Sequence, residues 1–91
     1  MLALRWSSEA LDDLTEIIAY IDDRNPDAAH RLQSDIVATT EQFIDRPFLY
    51  RPGRVPGTRE AVVRPNYLIV YQVGELFVDV LRVLHTARQY P

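Results

Sequence analysis

The chain has no cysteine. That excludes a disulfide framework and any thiolate metal site, and it is compatible with a reducing compartment. Lysine is also absent, so all ten basic residues are arginine. Arginine suits planar, two-pronged contacts with carboxylate or phosphate, although a GC-rich genome would produce the same bias. No apolar run approaches the length that spans a bilayer, and the first residues, Met1-Leu2-Ala3-Leu4-Arg5, lack a signal-peptide layout. A cytoplasmic protein without a membrane partner is therefore expected. Glycine is scarce, at three residues, and no Gly-rich phosphate loop or serine nucleophile elbow can be drawn. The two histidines, His30 and His85, are far apart and the helix-face acids lack ligand spacing, so no metal site and no cofactor are expected.

What is present fits one domain over residues 1–91. A chain of this size buries only about two-thirds of its unfolded surface, so its stability margin is thin and a stable partner matters to it. The formal charge of −3 is unevenly placed. Residues 1–45 sum to −7 and residues 46–91 to +4.

The stretch from Arg54 to His85 organises the chain. Three runs rich in Val, Ile, Leu and Tyr are broken by Pro65-Asn66 and by Gly74-Glu75. Gaps this short join antiparallel neighbours, since parallel strands need a dozen or more residues between them. The spacing predicts a three-stranded meander over 59–64, 67–73 and 76–85. Residues 2–6 alternate and read as a further strand that joins the sheet.

Helix signals fill the interval. Ser7 or Ser8 can cap a helix over 8–23, with Glu9 in its first turn. Ala10, Leu14, Ile17 and Ile21 form its apolar stripe, widened by Leu11 and Ile18. Asp12, Asp13, Glu16, Asp22 and Asp23 read as a solvated face. Asn25-Pro26 ends this helix and starts the next, with Asn25 as cap, Asp27 in the first turn and an end near Asp45. Ala29, Leu32, Ile36 and Phe43 mark the second stripe. Two helices joined this tightly form an antiparallel hairpin that covers one face of the sheet. The fold class is α+β.

Residues 46–58 interleave Phe48 and Tyr50 with Arg46, Arg51 and Arg54. Stacking and phosphate pairing are within reach of such a mix. The preferred reading is that the aromatics pin a long loop to the core while the arginines face water. The last strand is apolar on both alternating sets, Phe77, Asp79, Leu81, Val83, His85 and Leu76, Val78, Val80, Arg82, Leu84. That pattern predicts a second face partly bare in the isolated chain and open to a partner.

In this order of elements the chain resembles the RelE/ParE toxin superfamily of type II toxin–antitoxin systems. The resemblance spans nearly the whole chain. It rests on Asn25-Pro26-Asp27-Ala28-Ala29, Arg54-Val55-Pro56-Gly57-Thr58-Arg59-Glu60, Asn66-Tyr67-Leu68-Ile69-Val70-Tyr71, and Val80-Leu81-Arg82-Val83-Leu84-His85 with Arg88-Gln89. As a set these are similar to the ParE branch. The resemblance implies a plasmid-stabilising toxin that inhibits DNA gyrase by binding, without chemistry of its own. It also implies a cognate antitoxin whose C-terminal segment wraps the toxin in a hetero-oligomer, and it implies no sequence-specific DNA binding. Arg59, Arg64, Tyr67, Arg82, His85 and Arg88 are the expected contacts to antitoxin or target.

Two alternatives stand beside it. One is a ribosome-dependent mRNA endonuclease of the RelE type, in which Arg59, His85, Arg88 and Tyr90 would carry catalysis. In RelE-type toxins an arginine follows the tyrosine that opens the middle strand, whereas Leu68 follows Tyr67 here. Two lysines of that type fall at Arg59 and Ala61, and an arginine is a poor proton donor. The other alternative is a non-toxic member kept as an antitoxin-binding regulator.

Overall fold

The computed structural model describes residues 2–87. Strand β1 (Ala3–Trp6) leads into α1 (Ser8–Asp22) and α2 (Pro26–Asp45), followed by β2 (Arg51–Pro52), β3 (Arg59–Val63), β4 (Tyr67–Val73) and β5 (Phe77–His85). The sheet order is β1-β5-β4-β3-β2. The meander is antiparallel throughout, and β1 joins the far side of β5 in parallel. The long route through two helices and three strands permits that parallel pairing. The two-residue β2 is an element that the proline-rich loop sequence did not announce. It extends the sheet beyond β3, with Arg51 opposite Glu60.

Both helix starts follow their capping chemistry. Ser7 is the N-cap of α1, its hydroxyl accepting from the Ala10 N–H at 3.0 Å and donating to the Leu81 carbonyl at 2.9 Å. One side chain therefore starts the helix and fastens it to β5. Asn25 caps α2 by accepting from the Ala28 N–H at 3.1 Å, and Pro26 occupies the first turn. Leu32, Ile36 and Phe43 of the α2 stripe and Ala10 of α1 are buried in one cluster with Ala61, Val63, Ile69, Tyr71, Val78, Val80 and Val83 of the sheet, and Ala29 of the same stripe is buried as well. Phe43 stacks flat on Tyr71 at 3.8 Å between ring centres. Removing the Phe43 ring would cost about 3–5 kcal/mol. Leu11 does not widen the α1 stripe, because it is half exposed.

The expected alternation of β5 fails at one point. Val70 pairs with Arg82 but Tyr71 pairs with Val80, so Leu81 is an extra residue in a β-bulge. The bulge shifts the phase by one. Val78 and Val80 before it and Val83 after it all face the helices. The two-sided apolar look of this strand is thus partly two phases of one core face.

The second face is not wholly bare. Leu68, Val70 and Leu84 form a separate buried cluster there. Leu68 and Leu84 are each 2% exposed and Val70 is fully buried. Val62, beside Leu68 in the register, is the large apolar residue of this row that stays open, at 47%. The last strand is nonetheless partly bare as expected, since Phe77 and Leu81 stay only half-buried. Leu76 also falls outside β5, in the turn that Gly74 closes by donating to the Phe77 carbonyl at 2.8 Å.

The β3–β4 turn places Arg64 in the left-handed region, with φ of 56°. A non-glycine residue pays about 1–2 kcal/mol there. The Arg64 side chain is clamped by Asp35 of α2, with Nε at 2.7 Å and a terminal nitrogen at 2.6 Å from Oδ2. That pair ties the strained turn back to the helical layer.

Candidate interaction surfaces

The register brings Tyr67 opposite His85 at one end of the sheet. Both project toward the helices, one step beyond the Ile69–Val83 row of the core. Their rings meet edge to face at 5.4 Å and 79°. Helix α1 presents Glu16, Ile17 and Tyr20 to the same place, and the five residues line an open cleft of about 320 Å³. His85 Nδ1 accepts from the Ala87 N–H at 3.1 Å, which leaves the proton of the neutral ring on Nε2. Arg24 stacks over Tyr20 at 3.8 Å and donates to the Tyr20 carbonyl at 2.8 Å. The rim of the cleft is thus aromatic, with an acid and an imidazole inside it. No sequence signal placed Glu16 and Tyr20 there, because the lay of α1 across the sheet is a tertiary property.

The other expected contact residues are dispersed. Arg59 pairs with Tyr71, four residues along β4 from Tyr67, a separation of about 13 Å at ordinary strand rise. Its guanidinium donates to the Tyr50 carbonyl at 2.6 Å and lies over the Phe48 ring at 4.8 Å. Arg59 therefore braces the preceding loop and does not meet His85. Arg64 turns to Asp35 on α2, and both partners are roughly half exposed. Arg88 and Tyr90 lie outside the described residues.

Arg82 is the most committed of the set. It forms a two-pronged pair with Asp13 of α1, Nε to Oδ2 at 2.7 Å and a terminal nitrogen to Oδ1 at 3.0 Å. The same carboxylate accepts the Val83 N–H at 2.9 Å. Asp13 is only 10% exposed. It belongs to the helix–sheet seam and not to the solvated acidic face. The hydrogen-bonding edge of β5 is free of β1 beyond Val80, and Asp13 closes part of it.

Two further features shape the surface. A shallow groove of about 320 Å³ runs between the helices, lined by Leu14, Thr15, Ile18, Ala19 and Asp22 of α1 and Gln33 of α2. At the opposite edge of the sheet, Glu60 is 3% exposed and holds the 51–58 loop. It accepts from Arg51 at 3.2 Å and from the Arg54 backbone N–H at 3.0 Å. Burial raises the Tyr71 hydroxyl above the ordinary phenol range, while its O–H donates to the Pro47 carbonyl at 2.7 Å. At the β1 edge, the Arg5 hydrogen bonds lower Asp79 below the usual carboxylate range.

Among the described residues no group of three or more His, Asp or Glu side chains is placed to hold a metal ion. No helix among them is long and apolar enough to cross a membrane.

Comparison with known proteins places this geometry. The family model described as ParE toxin of type II toxin-antitoxin system, parDE, matches residues 4–90. A relative from Sinorhizobium fredii, named "Putative toxin Y4kP", is 38% identical over 97% of this chain and 92% of its own. Toxin RelE2 of Caulobacter vibrioides is 34% identical over 97% of this chain and 99% of its own. A structure titled as the chromosomal ParDE TA system from P. aeruginosa superposes with a TM-score of 0.82, at 24% identity, over 93% of this chain and 96% of that one. That last likeness bears on the fold: two helices on one face of a five-stranded mixed sheet.

Proposed function

The chain belongs to the ParE toxin family of type II toxin–antitoxin systems, and from that premise we propose that it acts by binding DNA gyrase and is neutralised by a cognate antitoxin. The observation that carries this reading is the dispersal of the cleavage set. RNA cleavage needs a base for the 2′-hydroxyl, an acid for the leaving oxygen and a charge stabiliser at one phosphate. Arg59 and His85 sit about four strand residues apart, and the Arg59 guanidinium is spent on loop carbonyls. Binding makes no such demand on geometry. The antitoxin is expected to lay an amphipathic helix along the groove at Leu14, Ile18 and Gln33. Arg64, Tyr67 and His85 line or flank the helix-facing end of the sheet and are proposed contacts to antitoxin or target. The expected site of action is the cytoplasm.

A second reading has one specific observation behind it. Glu16 and His85 share a cleft with three apolar or aromatic neighbours, an arrangement that could serve an RNase. A supercoiling assay with purified gyrase, run beside in-vitro translation, separates the two. The binder inhibits supercoiling and leaves mRNA intact, and His85→Ala keeps most of that inhibition. An RNase relying on His85 would lose about a hundredfold in rate on that substitution. Cut mRNA with untouched gyrase would overturn the gyrase reading.

A further inference from the structure

We propose that the loop tip at Phe48 is a stacking site for single-stranded nucleic acid, separate from the Tyr67–His85 cleft. The loop expected to be pinned by both aromatics is pinned by only one. Tyr50 stands edge-on to Phe43 at 5.4 Å and to Tyr71 at 6.3 Å, and its hydroxyl donates to Gln42 Oε1 at 2.7 Å. Phe48 and Leu49 instead stand outward, 64% and 55% exposed. Their backbone is nonetheless held firmly. The Tyr71 hydroxyl donates to the Pro47 carbonyl, Arg59 donates to the Tyr50 carbonyl, and the Leu49 N–H closes a turn on the Arg46 carbonyl at 3.2 Å. An exposed ring on a braced backbone loses little freedom when a ligand arrives.

The surroundings select the ligand. Between Asp45 and Glu60 the chain has four arginines, Arg46, Arg51, Arg54 and Arg59, and no acid. Glu60 engages Arg51 and Arg54 from within the fold, yet their side chains remain 59% and 46% exposed. The exposed Arg46 side chain has no ion pair among the described residues. Arg59 already lies over the Phe48 ring, so a base on the exposed part of that ring would complete a guanidinium–aromatic–base arrangement. The hollow beside it, lined by Phe48, Pro52, Gly57, Thr58, Arg59 and Val73, is about 250 Å³. That is below the range of about 300–1,000 Å³ for drug-sized ligands and fits one base better than a duplex edge. Stacked bases and guanidinium-paired phosphates favour a flexible single strand, whose bases are free to splay; sequence preference is not expected from such contacts. This site lies at the β2–β3 edge, across the sheet from α1's cleft with Tyr67 and His85. It does not depend on gyrase being the target.

The test is fluorescence anisotropy of a labelled single-stranded oligothymidylate with the full chain, repeated with the matching duplex and with polyglutamate as competitor. The single strand binds more tightly than the duplex. Phe48→Ala weakens it about tenfold, Phe48→Trp retains it, and Phe48→Leu, which keeps an apolar side chain but no ring, weakens it like alanine. Arg46→Ala lowers the slope of log affinity against log salt by about 0.7. Phe48 is exposed, so circular dichroism should show all these variants folded. Absence of binding, equal or tighter binding of the duplex, a Phe48→Leu protein as tight as the parent, or displacement by polyglutamate at equal charge would each overturn the proposal. The last result would assign the tip to an acidic protein surface instead.

Discussion

Replacing Asp13 by alanine tests the helix–sheet seam directly. The substitution removes both prongs of the Arg82 pair and the acceptor of the Val83 N–H. Hydrogen bonds to charged groups are worth about 1.5–3 kcal/mol each in favourable settings. Removing one partner of a fully buried pair costs about 3–5 kcal/mol. Arg82 is 31% exposed, so its guanidinium can recover water once the carboxylate is gone. The Val83 N–H lies at an open strand edge and recovers some as well. Those two reliefs pull the expected loss down to about 3 kcal/mol, against a total of about 5–15 for a domain of ordinary stability.

For a domain under a hundred residues, 1 kcal/mol moves the midpoint by about 4–8 °C. Differential scanning calorimetry should therefore find Asp13→Ala lower by about 12–24 °C. The neighbouring Asp12→Ala, which removes an exposed acid, should move it by no more than about 4 °C. A double-mutant cycle with Arg82→Ala should return a coupling of about 1–2 kcal/mol. A fall of less than about 4 °C for Asp13→Ala would mean that the pair behaves as a surface ion pair, worth about 0–1 kcal/mol, and that the seam is held by apolar contacts alone.

Two shorter predictions concern other side chains. The folded-state pKa of Tyr71 lies above its unfolded value because burial disfavours the phenolate. Its contribution is therefore complete below the unfolded pKa and is lost as pH rises through the folded one. Alkaline unfolding followed at 295 nm should begin at higher pH in Tyr71→Phe, and identical alkaline midpoints would refute the assignment. Arg64→Glu should cost less than about 1 kcal/mol through its exposed partner Asp35. It should nevertheless slow association with the antitoxin and flatten its salt dependence in stopped-flow measurements; rates that ignore both the substitution and the salt would show that this arginine steers nothing. Arg82 is the wrong residue for that experiment, since its reversal sets a carboxylate against the largely buried Asp13, whereas Asp35 is half exposed.

Elements were legible in the sequence where their signals are local. Ser7 and Asn25-Pro26 announce the helix starts, and Pro65-Asn66 and Gly74-Glu75 announce the turns, because capping and turn chemistry act over three or four residues. The Tyr67–His85 pairing does not follow from the hairpin alone, since the register set at Val73–Val78 would put Leu84 opposite Tyr67 and the extra Leu81 brings His85 there instead. What could not be read is set by contacts distant along the chain. Asp13 looks like Asp12 in sequence, and the packing of α1 on β5, which brings Arg82 and the Val83 N–H to Asp13, tells them apart. Leu81 looks like any strand residue. Both phases of β5 are apolar, so an added residue leaves no mark in the alternation, yet it decides which valines enter the core. The buried Glu60 breaks the pattern of an apolar strand, and its reason is the pair of arginines folded over it from β2 and the following loop.

The same distinction explains the two sides of the candidate surface. A core position is over-determined, because many neighbours exclude water from it together. Tyr50 sinks for that reason: Phe43, Tyr71 and Gln42 all receive it. Phe48, two residues earlier, lies under the Arg59 guanidinium and still stays 64% exposed. Composition makes the two rings equivalent, and a count of aromatics would pin both. The difference lies in the backbone, which the cross-strand neighbours Tyr71 and Arg59 fix at Pro47 and Tyr50, with one ring in the core and the other in water. Loosening that brace should therefore act on Phe48 without touching it. Arg59→Met keeps the stem and removes the bond to the Tyr50 carbonyl. If the brace argument holds, amide exchange at Leu49 and Tyr50 should quicken by about five- to tenfold, the equivalent of one net hydrogen bond of about 1 kcal/mol. Unchanged exchange there would mean that Tyr71 alone holds the loop, and that the display of Phe48 owes nothing to the arginine stacked upon it.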